Sequence, residues 1–198
     1  MTRSPNHRLL AKLKEHTQPL HDEVEAAMNS GALMRPDFSR REYTLLIKRL
    51  WRAHSALEPV LENCRTITSH TELKASERLN KRSLLLKDLR ELGIDEAELD
   101  ETPPALLSDK ECWGAFYVLE GSTLGGAMIH KKLREQQGSD FPLHFYGAYG
   151  TKTGAMWSSF REAFTHHTTP VEEWRTPVMS GAEKAYDSFL KATRFYRE

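Results

Sequence analysis

Apolar residues recur three and four positions apart along nearly the whole chain, the spacing of helices with one buried face. The clearest run holds Tyr43, Leu46, Leu50, Leu57 and Leu61. Ser39-x-x-Glu42 opens it with a capping-box pattern, in which each side chain satisfies a backbone N–H of the other's turn. Pro59 is expected to bend or split that helix. Before it, Ser4-Pro5 reads as a cap followed by proline at the first helical position. That first helix should be interrupted at Pro19, with Thr17 as a fresh cap and a kink or restart there. It then ends at Asn29-Ser30-Gly31. Further on, "ELKASERLNKRSLLLKDLREL" reads as helix closing on Gly93. Ser108-x-x-Glu111 opens another helix, which Gly138 ends. Residues 138–152 form the longest loop, and a helix around "GAMWSSFREAF" follows. Thr169-Pro170 starts a short helix, and "MSGAEKAYDSFLKATRFY" forms a last one. No segment alternates convincingly as a strand would. The pattern predicts an all-α fold of seven to eight helices, with residues 1–198 as one domain.

Composition narrows the function classes. Lys plus Arg and Asp plus Glu both count 28, so the formal net charge is zero. A dedicated nucleic-acid binder would show a basic surplus. No apolar run reaches the length of a bilayer span, and the first residues hold no signal-peptide core. The expectation is a cytoplasmic protein that acts away from membranes. Its two cysteines, Cys64 and Cys112, should then be reduced and buried as small apolar residues.

One stretch breaks the helical logic. "YVLEGSTLGGAMIHKK" carries Gly121, Gly125 and Gly126 inside an otherwise helical pattern. Three interior glycines cost roughly 3 kcal/mol of helix propensity relative to alanine. Such a flank suits either a close helix–helix crossing or a flat ligand lying on the bare backbone. His21 raises a second question. It stands one turn before Glu25, so the two share a helix face. A metal-binding imidazole commonly gives its second ring N–H to a carboxylate, and a surface polar pair has the same spacing. His166-His167 closes a helix, where histidine complements the dipole; a metal site there needs further ligands that the sequence does not place.

Taken together, "EHTQPLHDEVE" and "FYVLEGSTLGG" resemble the haem oxygenases, specifically the bacterial biliverdin-producing branch. "HSALEPVLE" is similar to that family's H-x-x-x-E-P segment, and "YGTKTGAMWSSF" to its T-G-x-x-W-x-x-F stretch, so the likeness spans nearly the whole chain. The resemblance implies a haem substrate that is also the cofactor, with His21 as axial iron ligand and Glu25 orienting it. The backbone of Gly121, Gly125 and Gly126 would cover the other face and aim oxygen at one meso carbon. Ser122 stands where animal relatives have an aspartate, so proton delivery would rest on water, carbonyls and His54. Lys14 and Tyr117 match propionate-binding positions, with Lys132 a weaker candidate, and Tyr186 resembles an aromatic beside the haem. Cleavage at the α-meso carbon is expected. The products would be biliverdin, CO and free iron. Electrons would come from a ferredoxin or an NAD(P)H-dependent reductase, since no dinucleotide fingerprint or cysteine cluster is present. A bacteriophytochrome could take up the product. The competing expectations are a haem carrier or sensor without turnover and a thiaminase-like hydrolase, which would need a nucleophilic cysteine in a catalytic setting.

Overall fold

A computed structural model describes residues 5–100 and 102–196. Among these residues every regular element is helical. The α-helices are α1 (Pro5–Met28), α2 (Arg40–Glu62), the single turns α3 (Arg65–Thr68) and α4 (Ala75–Arg78), α5 (Lys81–Glu91), α6 (Glu111–Gln137), α7 (Thr153–His167) and α8 (Val171–Phe195). The all-α expectation of seven to eight helices holds. The cap expected at Ser4 lies outside the described residues.

Several boundaries follow local chemistry. Ser39 accepts the Glu42 N–H at 3.1 Å, and Glu42 accepts the Ser39 N–H at 2.6 Å, completing the capping box of α2. Gly93 has φ 86°, a left-handed conformation that alanine resists, and the chain turns there after α5. Others depart from expectation. Thr17 does not restart α1, which runs unbroken past Pro19. The Thr17 hydroxyl instead donates to the Leu13 carbonyl at 2.8 Å, a bond made within a continuing helix. Pro59 does not split α2, and Pro177 lies inside a single α8 where two helices were expected. Conversely, the segment ending at Gly93 is not one helix. It breaks at Leu79 and Asn80, whose backbone is non-helical, and the break lets Arg78 and Lys81 both turn into the interior.

The buried side chains form one connected cluster in which α8 runs against α6, α1 and α2. Two glycines permit the closest crossing. A Cβ on Gly114 would meet the Val178 carbonyl oxygen at 1.9 Å, and one on Gly181 would meet the Glu111 carbonyl oxygen at 1.9 Å. Glu111 also ties the start of α6 to α8: its carboxylate accepts from Lys184 at 2.6 Å, from Ser180 at 2.7 Å and from the Ser108 N–H at 2.8 Å. Partial burial opposes ionisation, but these donors outweigh it and hold the carboxyl near 2. A depressed carboxyl stabilises the fold above its unfolded value of 4.5 and loses that contribution as pH falls toward 2. Urea midpoints of the wild type should therefore drop across this window, and Glu111→Gln should flatten the drop while lowering stability at neutral pH.

Candidate functional site

One large cavity of about 850 Å³ opens between α1 and α6. That is the scale of small-molecule and cofactor sites. One wall of it is a stripe on α1 at helical spacing: Leu10, Lys14, Thr17, His21, Val24, Glu25 and Met28. The facing wall is α6, with Tyr117, Gly121, Ser122, Gly125, Gly126 and Ile129. Leu46, Leu50 and His54 from α2, Trp157 and Arg161 from α7, and Tyr186 and Phe189 from α8 close the rest. Ten of the eleven residues singled out from the sequence meet here; Lys132 alone does not line the cavity.

The glycines of α6 now divide by environment. Gly114 lies beneath the α8 backbone, as a close crossing demands. At Gly125 a Cβ would meet nothing within 4 Å; at Gly121 it would touch only the Trp157 ring, at 3.8 Å, and at Gly126 only Tyr146, at 3.5 Å. Among the described residues, no backbone of another helix stands within 4 Å of a Cβ at these three positions. Their bare backbone faces the cavity, so close crossing does not account for them.

On the opposite wall His21 is exposed, and its Nδ1 faces two carboxylates, Asp22 at 3.4 Å and Glu25 at 3.9 Å. The expected partner, Glu25, is beyond hydrogen-bond range, and Asp22 is nearer. With Nδ1 turned to carboxylates, Nε2 is the nitrogen left to bind a metal.

His54 is fully buried. Its Nδ1 lies 2.6 Å from Glu58, which also accepts the Arg82 backbone N–H, while its Nε2 has no protein partner. A carboxylate on Nδ1 makes Nε2 the acceptor of the pair, placed in the cavity wall. Ser122 donates its hydroxyl to the Leu119 carbonyl at 2.8 Å, so what it offers the cavity is an acceptor. Tyr117 is half-buried, and burial pushes its phenol up to about 12, keeping it a donor.

Sequence spacing gave no sign of two supporting arrangements. Beneath Gly121, buried Glu120 pairs with Arg78, accepts from Tyr149 at 2.6 Å and lies 3.2 Å from the Lys81 ammonium. Burial pulls the Lys81 pKa down and pushes that of Tyr149 up; both residues line the cavity. Asp88 on α5 accepts the backbone N–H groups of His144 at 2.7 Å and Phe145 at 2.9 Å, anchoring the loop that brings Phe145, Tyr146 and Tyr149 to the wall. Arg161 was also missed, since only the packing of α7 brings it to the cavity.

A sequence profile described as "Heme oxygenase" matches residues 7–106, half of the chain and the part that includes Lys14, His21 and His54. The chain belongs to the haem oxygenase family. A curated haem oxygenase from Xanthomonas campestris pv. campestris (strain 8004) is 32% identical over 108 residues, which span 53% of this chain and 62% of that relative. Among solved structures, the NO- and CO-bound haem oxygenase from Neisseria meningitidis superposes with a TM-score of 0.78 at 20% identity, covering 95% of this chain and 91% of that one. Haem oxygenase from Leptospira interrogans gives 0.73 at 14% identity, covering 93% and 98%. At such identities the structures share the haem oxygenase fold with this chain, and that shared fold includes the glycine helix beyond the profile match.

Proposed function

We propose that the chain binds haem between α1 and α6 and, given O₂ and electrons, opens it to biliverdin, CO and free iron. The observation that carries this reading is the bare backbone of Gly121, Gly125 and Gly126 in the cavity wall, with open space at Gly125, across the cavity from His21. A flat macrocycle fits such a space, and a Cβ at Gly125 would intrude on it.

Bound haem supplies both the iron that activates oxygen and the carbon skeleton that is oxidised. The chain's own groups do the rest. His21 would hold the iron through Nε2, with Asp22, the nearer carboxylate, orienting the ring through Nδ1. The bare backbone of Gly121, Gly125 and Gly126 would form a close-fitting wall against the bound macrocycle and limit what else enters there. His54 Nε2 is a buried acceptor that no protein group satisfies, and a water admitted beside it would extend a route for protons from the cavity. Ser122 holds water as an acceptor rather than delivering a proton directly. Electrons come from an external ferredoxin or NAD(P)H-dependent reductase.

Lys14 on α1 and Arg161 on α7 are exposed cations of the lining, and with Tyr117 they suit the haem propionates. A charge-assisted hydrogen bond contributes about 1.5–3 kcal/mol, so Lys14→Ala and Arg161→Ala should each weaken haem binding tenfold or more. Such anchors would select one orientation of haem, and we assign cleavage to the α-meso carbon. Chromatography of the bile pigment checks this: a β or δ isomer from the wild type would refute the assignment, and the double variant should give a mixture.

The functional test is direct. Haemin is added to the purified protein, the spectrum recorded, and ascorbate supplied in air. The expected result is a histidine-ligated Soret band that decays as biliverdin and chelatable ferrous iron appear. A complex that keeps its spectrum would make the protein a carrier, and no complex at all would overturn the haem reading.

A further inference from the structure

Two histidines that stand far apart in the sequence meet away from the cavity. His70 precedes the short turn Thr71–Leu73, and His167 is the last residue of α7. Glu72 lies between them, its Oε1 2.7 Å from His167 Nε2 and 3.7 Å from His70 Nδ1. One ligand atom from each of the three residues falls within 4.8 Å of the others. None of the three lines the cavity.

We propose that His70, Glu72 and His167 form a binding site for a divalent first-row transition metal of the zinc or ferrous type. Two imidazoles with one carboxylate are a donor set such ions favour. Each ring already presents one nitrogen to the same carboxylate oxygen, so the donors converge. Ligands bound at about 2.0–2.2 Å in a tetrahedral site lie roughly 3.3 Å from one another, so closing the set takes movements of about an ångström. Exposure permits that movement: the Glu72 side chain is 54% exposed and His70 29%. The rings stack at 3.5 Å with planes 26° apart and must splay to share one ion. Behind them the buried Trp113 ring lies 5.6 Å from His167 and 6.3 Å from His70, a firm backing that leaves the outer side for water as further ligand.

Titration calorimetry with Zn(II) on the haem-free protein tests the site independently of the haem reading. His21, Asp22 and Glu25 form a second convergent group, so His21→Ala is the control. The expected result is one Zn(II) per chain, retained in His21→Ala. In His70→Gln and His167→Gln its affinity should fall by more than the roughly 10–100-fold that loss of a supporting partner costs. Glu72→Gln, at an exposed position that does not endanger folding, should also weaken it. Ni(II) added to the wild type should quench tryptophan fluorescence, and Trp113→Phe should remove most of that quenching. Absence of binding at millimolar Zn(II), or binding unchanged in Glu72→Gln and His167→Gln, would overturn the proposal.

Discussion

His21→Ala is expected to abolish the histidine-ligated haem spectrum and turnover, while leaving the haem-free protein as stable as the wild type. The ring is exposed on α1 and fastens no other element: its polar contacts, Asp22 and Glu25, are on its own helix. Losing a supporting partner of a metal ligand costs roughly 10–100-fold in affinity or activity, so losing the ligand itself should exceed that. Among the described residues, no second histidine of the lining is free to take over. The other imidazole of the lining, His54, is held by Glu58 and lies edge-on between Phe145 and Phe189 at ring distances of 5.3 and 5.9 Å. Added imidazole should restore the spectrum by occupying the vacated volume. An unchanged Soret band in His21→Ala would sink the assignment.

The second large effect is a contrast of sign between two glycines of one helix. Gly125→Ala places a methyl in open space, since nothing stands within 4 Å of the new Cβ. Alanine is favoured over glycine in a helix by about 1 kcal/mol, so the haem-free protein should melt about 2–4 °C higher. The same methyl enters the space proposed for haem, so affinity and turnover should fall. Gly114→Ala should do the opposite to stability. Its Cβ would stand 1.9 Å from the Val178 carbonyl oxygen and 2.7 Å from the Ala182 nitrogen, both backbone atoms that cannot step aside. Overpacking of this kind costs about 1–3 kcal/mol or more. Thermal melts of the two haem-free variants decide the matter. If Gly125→Ala destabilises as Gly114→Ala does, the glycine is structural and the ligand reading loses its support.

The features legible in the sequence were the local ones. Ser39 with Glu42, Gly93 at the end of α5, and the glycine stretch all act within a few residues, so spacing alone exposes them. The facing of Lys14, His21 and Glu25 was equally readable as one stripe of a helix. Proline did not end a helix at Pro19, Pro59 or Pro177: α1, α2 and α8 each run through the one in their interior. What joined distant segments stayed hidden. Nothing local ties Arg78 and Lys81 to Glu120, some forty residues on, yet both pair with it across the break between their helices. His166-His167 lacked ligands only because His70 and Glu72 are reached through the fold.

The abrupt change of burial along α6 has a consequence for how the chain opens. From Cys112 to Glu120 every residue but half-buried Tyr117 is buried, whereas Ser122, Leu124, Gly125 and Met128 are exposed. Opening the first half breaks the core, so it belongs to global unfolding. Opening the second half forfeits a few helical hydrogen bonds and little packing, which puts it among the low-energy local excursions of a native protein. A planar ligand can thus enter without unmaking the fold. Once seated it binds only the closed segment, and mass action transfers its binding energy to the weakest stretch of the longest helix.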